Sequence, residues 1–550
     1  MNRKAKFDLW SLVTIGLFAL YGLFLIYPMM NLLTQAVIDK NTGQFTLNYF
    51  VKFFSTPYYF NTLMNSFKVT TAVTFTTLIL GTPLAYFFTR YEIKGKAFLR
   101  ILIILSSMSA PFIGAYSWIL LLGRSGLITL FFKNTLGIAI PNIYGFFGIL
   151  LVLSLQLYPL IFLYVSGALK NVDNSLLEAS ENLGAAGVKR FFKIVIPLIT
   201  PTLMAAGLLV FMRALADFGT PMLIGEGYRT FPVTIFNEFI SEMGGDDGFA
   251  AAISIVAIAI TTIVFLVQQY FSVRKSFTMN SINKIRPEET HGMKRFLIHA
   301  YAYLLVSISI MPQVYIFYTS FKNVKGSTFA PGYSLQSYTD AFNKVGRAIT
   351  NTMLIPAIAL VIIIFLAVLL AYISVRRTGP VSKILDSISM IPYIIPGSVI
   401  GITLLIAFNK PPILLSGTMT IMVIGLVIRR MPYTIRSTAA ILQQIPMNME
   451  EAAHSLGSSK IKTFYKITMP MMAAGIISGA ILSWITMISE LSTAILLYTA
   501  RTRTLTIEIY TQIIRGNYGI AAALSTILAV LTIISLLIFN RISKDDDLSL

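Results

Sequence analysis

The stretch Ser175–Pro197, SLLEASENLGAAGVKRFFKIVIP, decides how this chain folds, because it occurs twice. The second copy, NMEEAAHSLGSSKIKTFYKITMP, runs from Asn448 to Pro470. The register is constant: Glu178 and Glu451, Gly184 and Gly457, Lys189 and Lys462, Pro197 and Pro470 are each 273 residues apart. Both copies are polar segments between long apolar runs, the pattern of a structured loop held outside a membrane. Ser175 with Glu178, and Asn448 with Glu451, match a capping residue followed three positions later by Glu, a helix start. Leu176, Ala179 and Leu183, and likewise Met449, Ala452 and Leu456, recur at i, i+3 and i+7 and so share one face. Gly184 and Gly457 then end the helix, because glycine accepts the left-handed backbone a helix terminus often needs. The expectation is a short amphipathic helix, made twice and presented at the membrane surface.

The flanking sequence supplies the membrane. Of 550 residues, 56% are hydrophobic and only 12% charged, and the mean hydropathy is +0.75. Soluble domains carry about 25% charged residues, so the composition gives an all-α polytopic membrane protein. There is no cysteine, which excludes a disulfide scaffold, a thiolate metal site and a Cys nucleophile. His291, His299 and His454 stand apart in sequence and offer no metal-ligand spacing. The net charge of +20 reads as cytoplasmic loops and anionic-lipid contacts. No nucleic-acid partner is expected, since no long basic run stands apart from the apolar segments.

Apolar runs predict about 12 transmembrane helices, each with the ~20 apolar residues a bilayer requires. They fall near 9–30, 63–88, 99–122, 144–168, 194–216 and 249–272, then near 296–318, 353–375, 384–408, 413–441, 471–497 and 518–540. The first is read as a retained span and not a cleaved signal, being long and lacking a small-residue cleavage site. The repeat extends beyond the loop. Asn65-Ser66 with Ala85-Tyr86 matches Asn351-Thr352 with Ala371-Tyr372 at an offset of 286. Pro159 matches Pro432 and Asp217 matches Glu490 at 273, and Gly248 with Ala250–Ala252 matches Gly519 with Ala521–Ala523 at 271. The chain therefore divides into a first unit, 1–273, a cytoplasmic linker, 274–295, and a second unit, 296–550. Six spans per unit is an even number, so the two repeats run parallel and both loops lie on one side, unlike the inverted repeats of many secondary transporters. Basic residues Arg90, Lys94, Lys96, Arg100, Lys170, Arg376, Arg377 and Lys383, with those of the linker, put that side and the N-terminus in the cytoplasm. Acidic residues Glu226, Glu238, Glu242, Asp246 and Asp247 collect on the other side. Lys322, Lys325, Arg501 and Arg503 run against the rule.

Glu-Ala-small, then Gly, then a basic-aromatic stretch ending in Pro resembles the EAA loop of permease subunits of binding-protein-dependent ABC importers. Here it is Glu178-Ala179-Ser180 with Gly184, and Glu451-Ala452-Ala453 with Gly457; Ser180 replaces the usual second alanine. The fused two-unit layout, with Asp217-Phe218-Gly219-Thr220-Pro221 after the first loop, resembles the ferric-iron-type branch, which also includes thiamine, aminoethylphosphonate and sugar-phosphate importers. The resemblance implies a transport subunit, not an enzyme, in a prokaryotic inner membrane. Each loop would dock into a cleft on a cytoplasmic ATPase, two copies of which bind ATP and Mg, and an extracytoplasmic binding protein would deliver the solute. No cofactor is expected in this chain, which has no GxxxxGK[ST] phosphate cradle. Ferric iron is the first cargo implied, with a phosphonate, sugar phosphate or thiamine as alternatives.

Ionisable residues inside spans are costly and mark function or pairing. Arg213 and Asp217, four residues apart, are placed to pair along one helix face. Glu490 holds the equivalent place in the second unit, and Arg429 and Arg430 stand just before Pro432, with Arg436 beyond. These residues either tie helices together or line a pathway; the near balance of charge favours a structural or gating role. Prolines 111, 159, 392, 396 and 432 interrupt spans. A different class, an ion-gradient-driven secondary transporter, would need no ATPase and would place its mechanism on these charges. A membrane-embedded enzyme would need a constellation of His, Asp or Cys that the sequence does not offer.

Overall fold

The computed structural model describes residues 8–40, 42–108, 111–185, 187–240, 246–274, 283, 285, 287–377 and 379–543. Glu242 and the linker residues Lys275, Lys284 and Arg286, on which the orientation expected above also draws, lie outside them. Among the described residues nine helices are long and apolar enough to cross a membrane, or up to eleven if each of two bent pairs is one span. Met419–Gln444 is long enough as well, but Arg429, Arg430 and Arg436 make it too polar to count by composition. The predicted span at 99–122 is divided between Lys96–Met108 and Pro111–Leu122, and the apolar helix there is Phe112–Thr135. The predicted straight span at 384–408 is in fact Pro380–Ile394 and Gly397–Phe408, which meet at 110°, with Pro396 at the break. Lys460–Met471 and Ala473–Ile488 meet at 66°.

Packing groups the chain differently from the sequential division 1–273, 274–295 and 296–550. One compact unit comprises Lys52–Asn237 and Ala259–Thr319; the other comprises Met1–Val51, Glu238–Ile258 and Ser320–Leu550. The first span thus packs in the unit built mainly from the second sequence half, and Gly292–Thr319 packs with the first half. The repeat describes the order of the chain, and the packing exchanges the leading span of each repeat.

In the Lys52–Asn237 unit, the helices Pro57–Arg90, Phe146–Lys170 and Gly187–Leu215 form the centre. Gly81 lies against Ile161, whose Cβ is 2.8 Å from where a side chain at Gly81 would begin. Small residues of this kind let helices approach when lipid removes the hydrophobic drive between them. Gly292–Thr319 is fastened by polar contacts: Tyr158 Oη and Ser309 Oγ are 2.9 Å apart, and Tyr301 donates to the Leu80 carbonyl at 2.8 Å. In the other unit, Gln336–Arg376, Met419–Gln444 and Ala473–Ile488 form the centre. Gly479 lies against the Thr434 backbone, and Thr434 and Ser483 hydroxyls meet at 2.9 Å. Trp10 of Leu9–Val37 stacks near Tyr372 and Phe464, with ring centroids 4.4 and 4.9 Å away.

The repeated Asn-Ser/Thr pairs have a structural explanation. Asn65 donates to the Arg229 carbonyl at 3.2 Å, and Ser66 accepts from the Phe231 N–H at 2.7 Å. Asn351 donates to the Arg503 carbonyl and Thr352 accepts from the Leu505 N–H, at 2.9 and 2.7 Å. Each pair fastens the backbone just before a short apolar helix, Phe231–Ile240 or Leu505–Ile514. Ala250–Ala252 and Ala521–Ala523 are all fully buried.

Candidate functional site

The first repeated loop forms the helix Asn174–Asn182 and the second forms Asn448–Ser455. Both end as expected. Gly184 and Gly457 have φ of +78° and +82°, a region that costs other residues strain. Gly184 N–H bonds back to the Glu181 carbonyl and Ala185 N–H to that of Ser180; Gly457 and Ser458 do the same to His454 and Ala453. This paired closure satisfies carbonyls the helix end would otherwise leave open.

The starts differ from expectation. Asp173 caps the first helix, accepting from the Ser175 N–H at 2.9 Å, while Glu178 takes the Asn174 side-chain amide at 2.6 Å. The Ser175–Glu178 capping box does not form, because a shorter carboxylate two residues earlier reaches the same donor. Met447, which precedes the second helix, offers no side-chain cap; Glu450 and Glu451 in the first turn suit the positive end of the dipole instead. After each glycine the chain enters a short π-helical turn, Phe191–Val195 or Phe464–Thr468, and Pro197 or Pro470 opens the helix that follows. Each proline comes just after its π turn, where Ile196 N–H reaches the Phe191 carbonyl and Met469 N–H that of Phe464, the local adjustment by which a helix accommodates a residue without an N–H.

Each short helix has two faces. Leu177 and Ser180 are buried in the first and Glu450 and Ala453 in the second; the Ser180 hydroxyl donates to the Leu177 carbonyl at 2.7 Å. Leu176 and Leu183, and Met449 and Leu456, are exposed, Leu183 and Leu456 at 85% and 89%. Glu178, Ala179, Glu451 and Ala452 share that exposure. Leu176 with Leu183, and Met449 with Leu456, thus give each loop an exposed apolar face, repeated in register.

Inside the loops the repeats use different chemistry at matched positions. Glu181 pairs with Arg190 at 2.8 Å in the first. Their counterparts, His454 Nδ1 and Thr463 Oγ1, stand 3.4 Å apart. The buried arginines Arg90 and Arg376, 286 residues apart, reach toward the two helices. Arg90 donates to Asn174 Oδ1 at 3.1 Å and pairs with Glu288. Arg376 pairs with Glu450 at 2.8 Å. Sequence reasoning missed Arg376 and Glu450 as a pair; the matched offset of Tyr86-to-Arg90 and Tyr372-to-Arg376 was the available signal.

Of the charges within spans, the structure brings three together. Glu490 pairs with both Arg429 and Arg430, and Arg429 also donates to Ser492 and Thr493 at 2.8 and 2.9 Å. Gly397 lies directly against the Arg429 guanidinium, where a side chain would collide. Arg436 pairs with Asp386 at 3.2 Å. The expected Arg213–Asp217 pair does not form. The helix ends at Leu215, so Asp217 leaves its face and accepts from the Thr220 N–H at 2.9 Å, while Arg213 is exposed. Thr493 N–H donates to Glu490 in the same way, at 3.0 Å. Position 156, the counterpart of Arg429, is Gln156. Among the described residues no group of three or more His, Asp or Glu could hold a metal ion.

The family described as binding-protein-dependent transport system inner membrane component matches residues 77–276 and again 363–545. The ferric transport system permease protein FbpB of Actinobacillus pleuropneumoniae is 28% identical over 99% of this chain and 80% of its own length. A putative ferric transport system permease, FbpB 1 of Haemophilus influenzae, is 28% identical over 90% of this chain and 79% of its own. The spermidine/putrescine permease PotB of the same species is 26% identical, covering 43% of this chain and 85% of its own length. A relative can thus be little more than one repeat long. Carrying the matched domain twice, in register with its two exposed loops, this chain belongs to the family of binding-protein-dependent transport system inner membrane components.

Proposed function

We propose that the chain is the membrane subunit of an ATP-driven importer, moving ferric iron delivered by an extracytoplasmic binding protein. The observation that carries this reading is the paired, glycine-ended helix with an exposed leucine at its tip. Two copies of a cytoplasmic ABC ATPase cover those tips at Glu178, Ala179, Gly184, Glu451, Ala452 and Gly457, and supply the ATP and Mg chemistry. Ser180 and Ala453 pack behind them. Residues 1–273 and 296–550 act as two permease units joined by a cytoplasmic linker, 274–295, with the N-terminus in the cytoplasm of the prokaryotic cell. Iron as cargo is supported by the two ferric transport relatives that span the chain. Asp217 has no ion-pair partner among the described residues and suits a cation, while Arg429 and Arg430 share the single carboxylate of Glu490 and are held by it. Arg213 and Asp217 are the pathway candidates, and Arg429, Arg430 and Glu490 the gate or brace.

The test is capture of the chain from native membranes with mass spectrometry of what accompanies it. Two ATPase copies per chain and a binding protein that takes up ferric iron are the expected result. A chain that purifies alone and transports in ATP-free liposomes under an ion gradient would overturn the reading.

A further inference from the structure

The arginines that close the two long helices Pro57–Arg90 and Gln336–Arg376 are buried, with side chains 3% and 9% exposed, and each holds one coupling helix. At the second, Arg376 Nε donates to Glu450 Oε1 at 2.8 Å and Nη2 donates to the Ile445 carbonyl at 2.9 Å. Tyr372, one turn earlier, donates to Glu450 Oε2 at 3.1 Å. The last turn of the long helix therefore grips both carboxylate oxygens of a residue in Asn448–Ser455.

At the first, Arg90 donates to Asn174, the opening residue of the coupling helix, and pairs with Glu288 of the linker. The linker is laced to the same place through backbone. Glu288 N–H donates to the Arg90 carbonyl at 2.8 Å, and its own carbonyl accepts from Glu92 at 3.1 Å. Asn174 N–H donates to the Asn283 carbonyl at 2.9 Å.

A guanidinium stays charged in a protein, and stripping a buried one of its partner is strongly destabilising. If the second coupling helix shifted alone it would strand Arg376; if the first did, Arg90 would keep Glu288 but its bond to Asn174 and the Asn174–Asn283 backbone bond would both break, so in each case helix and span end move together. We propose, resting on the importer reading above, that Arg90 and Arg376 are positioning residues that carry displacement of the coupling helices into the long spans. Glu288 completes the first joint.

The chain has no cysteine, so spin labels can be placed at will. Phe75 and Val361 are exposed, matched positions on the two long helices, 286 apart. In the full transporter with its ATPase, the distance between labels at Phe75→Cys and Val361→Cys is read with and without ATP. With the arginines intact a nucleotide-dependent shift is expected; with Arg376→Gln the ATPase still co-purifies and the shift is lost. Arg90→Gln and Glu288→Gln act alike. Because Arg376→Gln leaves Glu450 buried and unpaired, the double variant Arg376→Gln/Glu450→Gln is the second arm: thermal stability returns, and the shift does not. A full shift in Arg376→Gln, or its recovery together with stability in the double variant, would reduce the pair to a structural brace and overturn the proposal. Absence of ATPase before any arginine is changed would instead sink the importer reading, and this inference with it.

Discussion

The two repeated loops share a backbone and differ in almost every side-chain interaction that holds it. Both end on a positive-φ glycine, pass through a π-helical turn and resume at proline. Yet the first is capped by Asp173 and braced by the Glu181–Arg190 pair, while the second has no side-chain cap and leans on Glu450–Arg376. The turns further along the chain repeat the contrast: Glu490 and Asp217 receive the same kind of backbone N–H, but only Glu490 is clamped by two arginines. What is kept between the repeats is shape, and what is free to vary is the chemistry that secures it.

The largest expected effect comes from attacking what the loops share. The pair Gly184→Arg and Gly457→Arg places a non-glycine residue at positive φ twice, at about 1–2 kcal/mol each. A Cβ at either position would meet nothing within 4 Å, so no clash arises within the chain, which still inserts in the membrane. The added bulk projects beside Leu183 and Leu456, and loss of ATPase co-purification is expected. Normal co-purification of the double variant would break the claim that the common geometry is a docking surface.

The second effect separates the two turns. Glu490→Gln leaves two largely covered arginines without their shared carboxylate and is expected to lower stability by about 3 kcal/mol. Asp217→Asn removes no ion pair and keeps an acceptor for the Thr220 N–H, so its expected cost stays below about 1 kcal/mol. Thermal denaturation in detergent gives both values. Equal losses would mean that the carboxylates are braced alike and that the contrast between the turns is false.

Much of this was legible in the sequence because it depends on local rules. The terminator glycines, the two-faced helices and the apolar spans follow from periodicity and backbone preference alone. The first cap was misplaced because Asp173 and Glu178 compete for the Ser175 N–H, and Asp173 takes it. The Arg213–Asp217 pair failed for a similar reason: a spacing of four implies contact only while the helix lasts, and it stops at Leu215. The exchange of leading spans between the packed units was not legible at all. Leu9–Val37 and Gly292–Thr319 are apolar spans whose sequences name no packing partner; contacts such as Trp10 with Tyr372 and Tyr158 with Ser309 place them.

The smallest effect tests the loops against each other where they differ most. Arg190 is buried while its partner Glu181 is half exposed, so water already screens part of the attraction. Glu181→Gln still leaves an amide oxygen that can accept from the guanidinium, and a cost of about 1 kcal/mol follows. In the second loop the matching position is His454, whose Nδ1 lies 3.0 Å from the Ser458 carbonyl and 3.4 Å from the Thr463 hydroxyl, with no ion pair. His454→Gln is therefore expected to cost only a few tenths of a kcal/mol. Hydrogen exchange of the amides at Gly184 and Gly457 reads each loop separately: faster exchange at Gly184 in Glu181→Gln, and little change at Gly457 in His454→Gln. If the histidine variant loosens its loop as much as the glutamate variant does, then the hydrogen bonds of the second loop hold as firmly as the ion pair of the first. The two repeats would then be matched in strength as well as in shape.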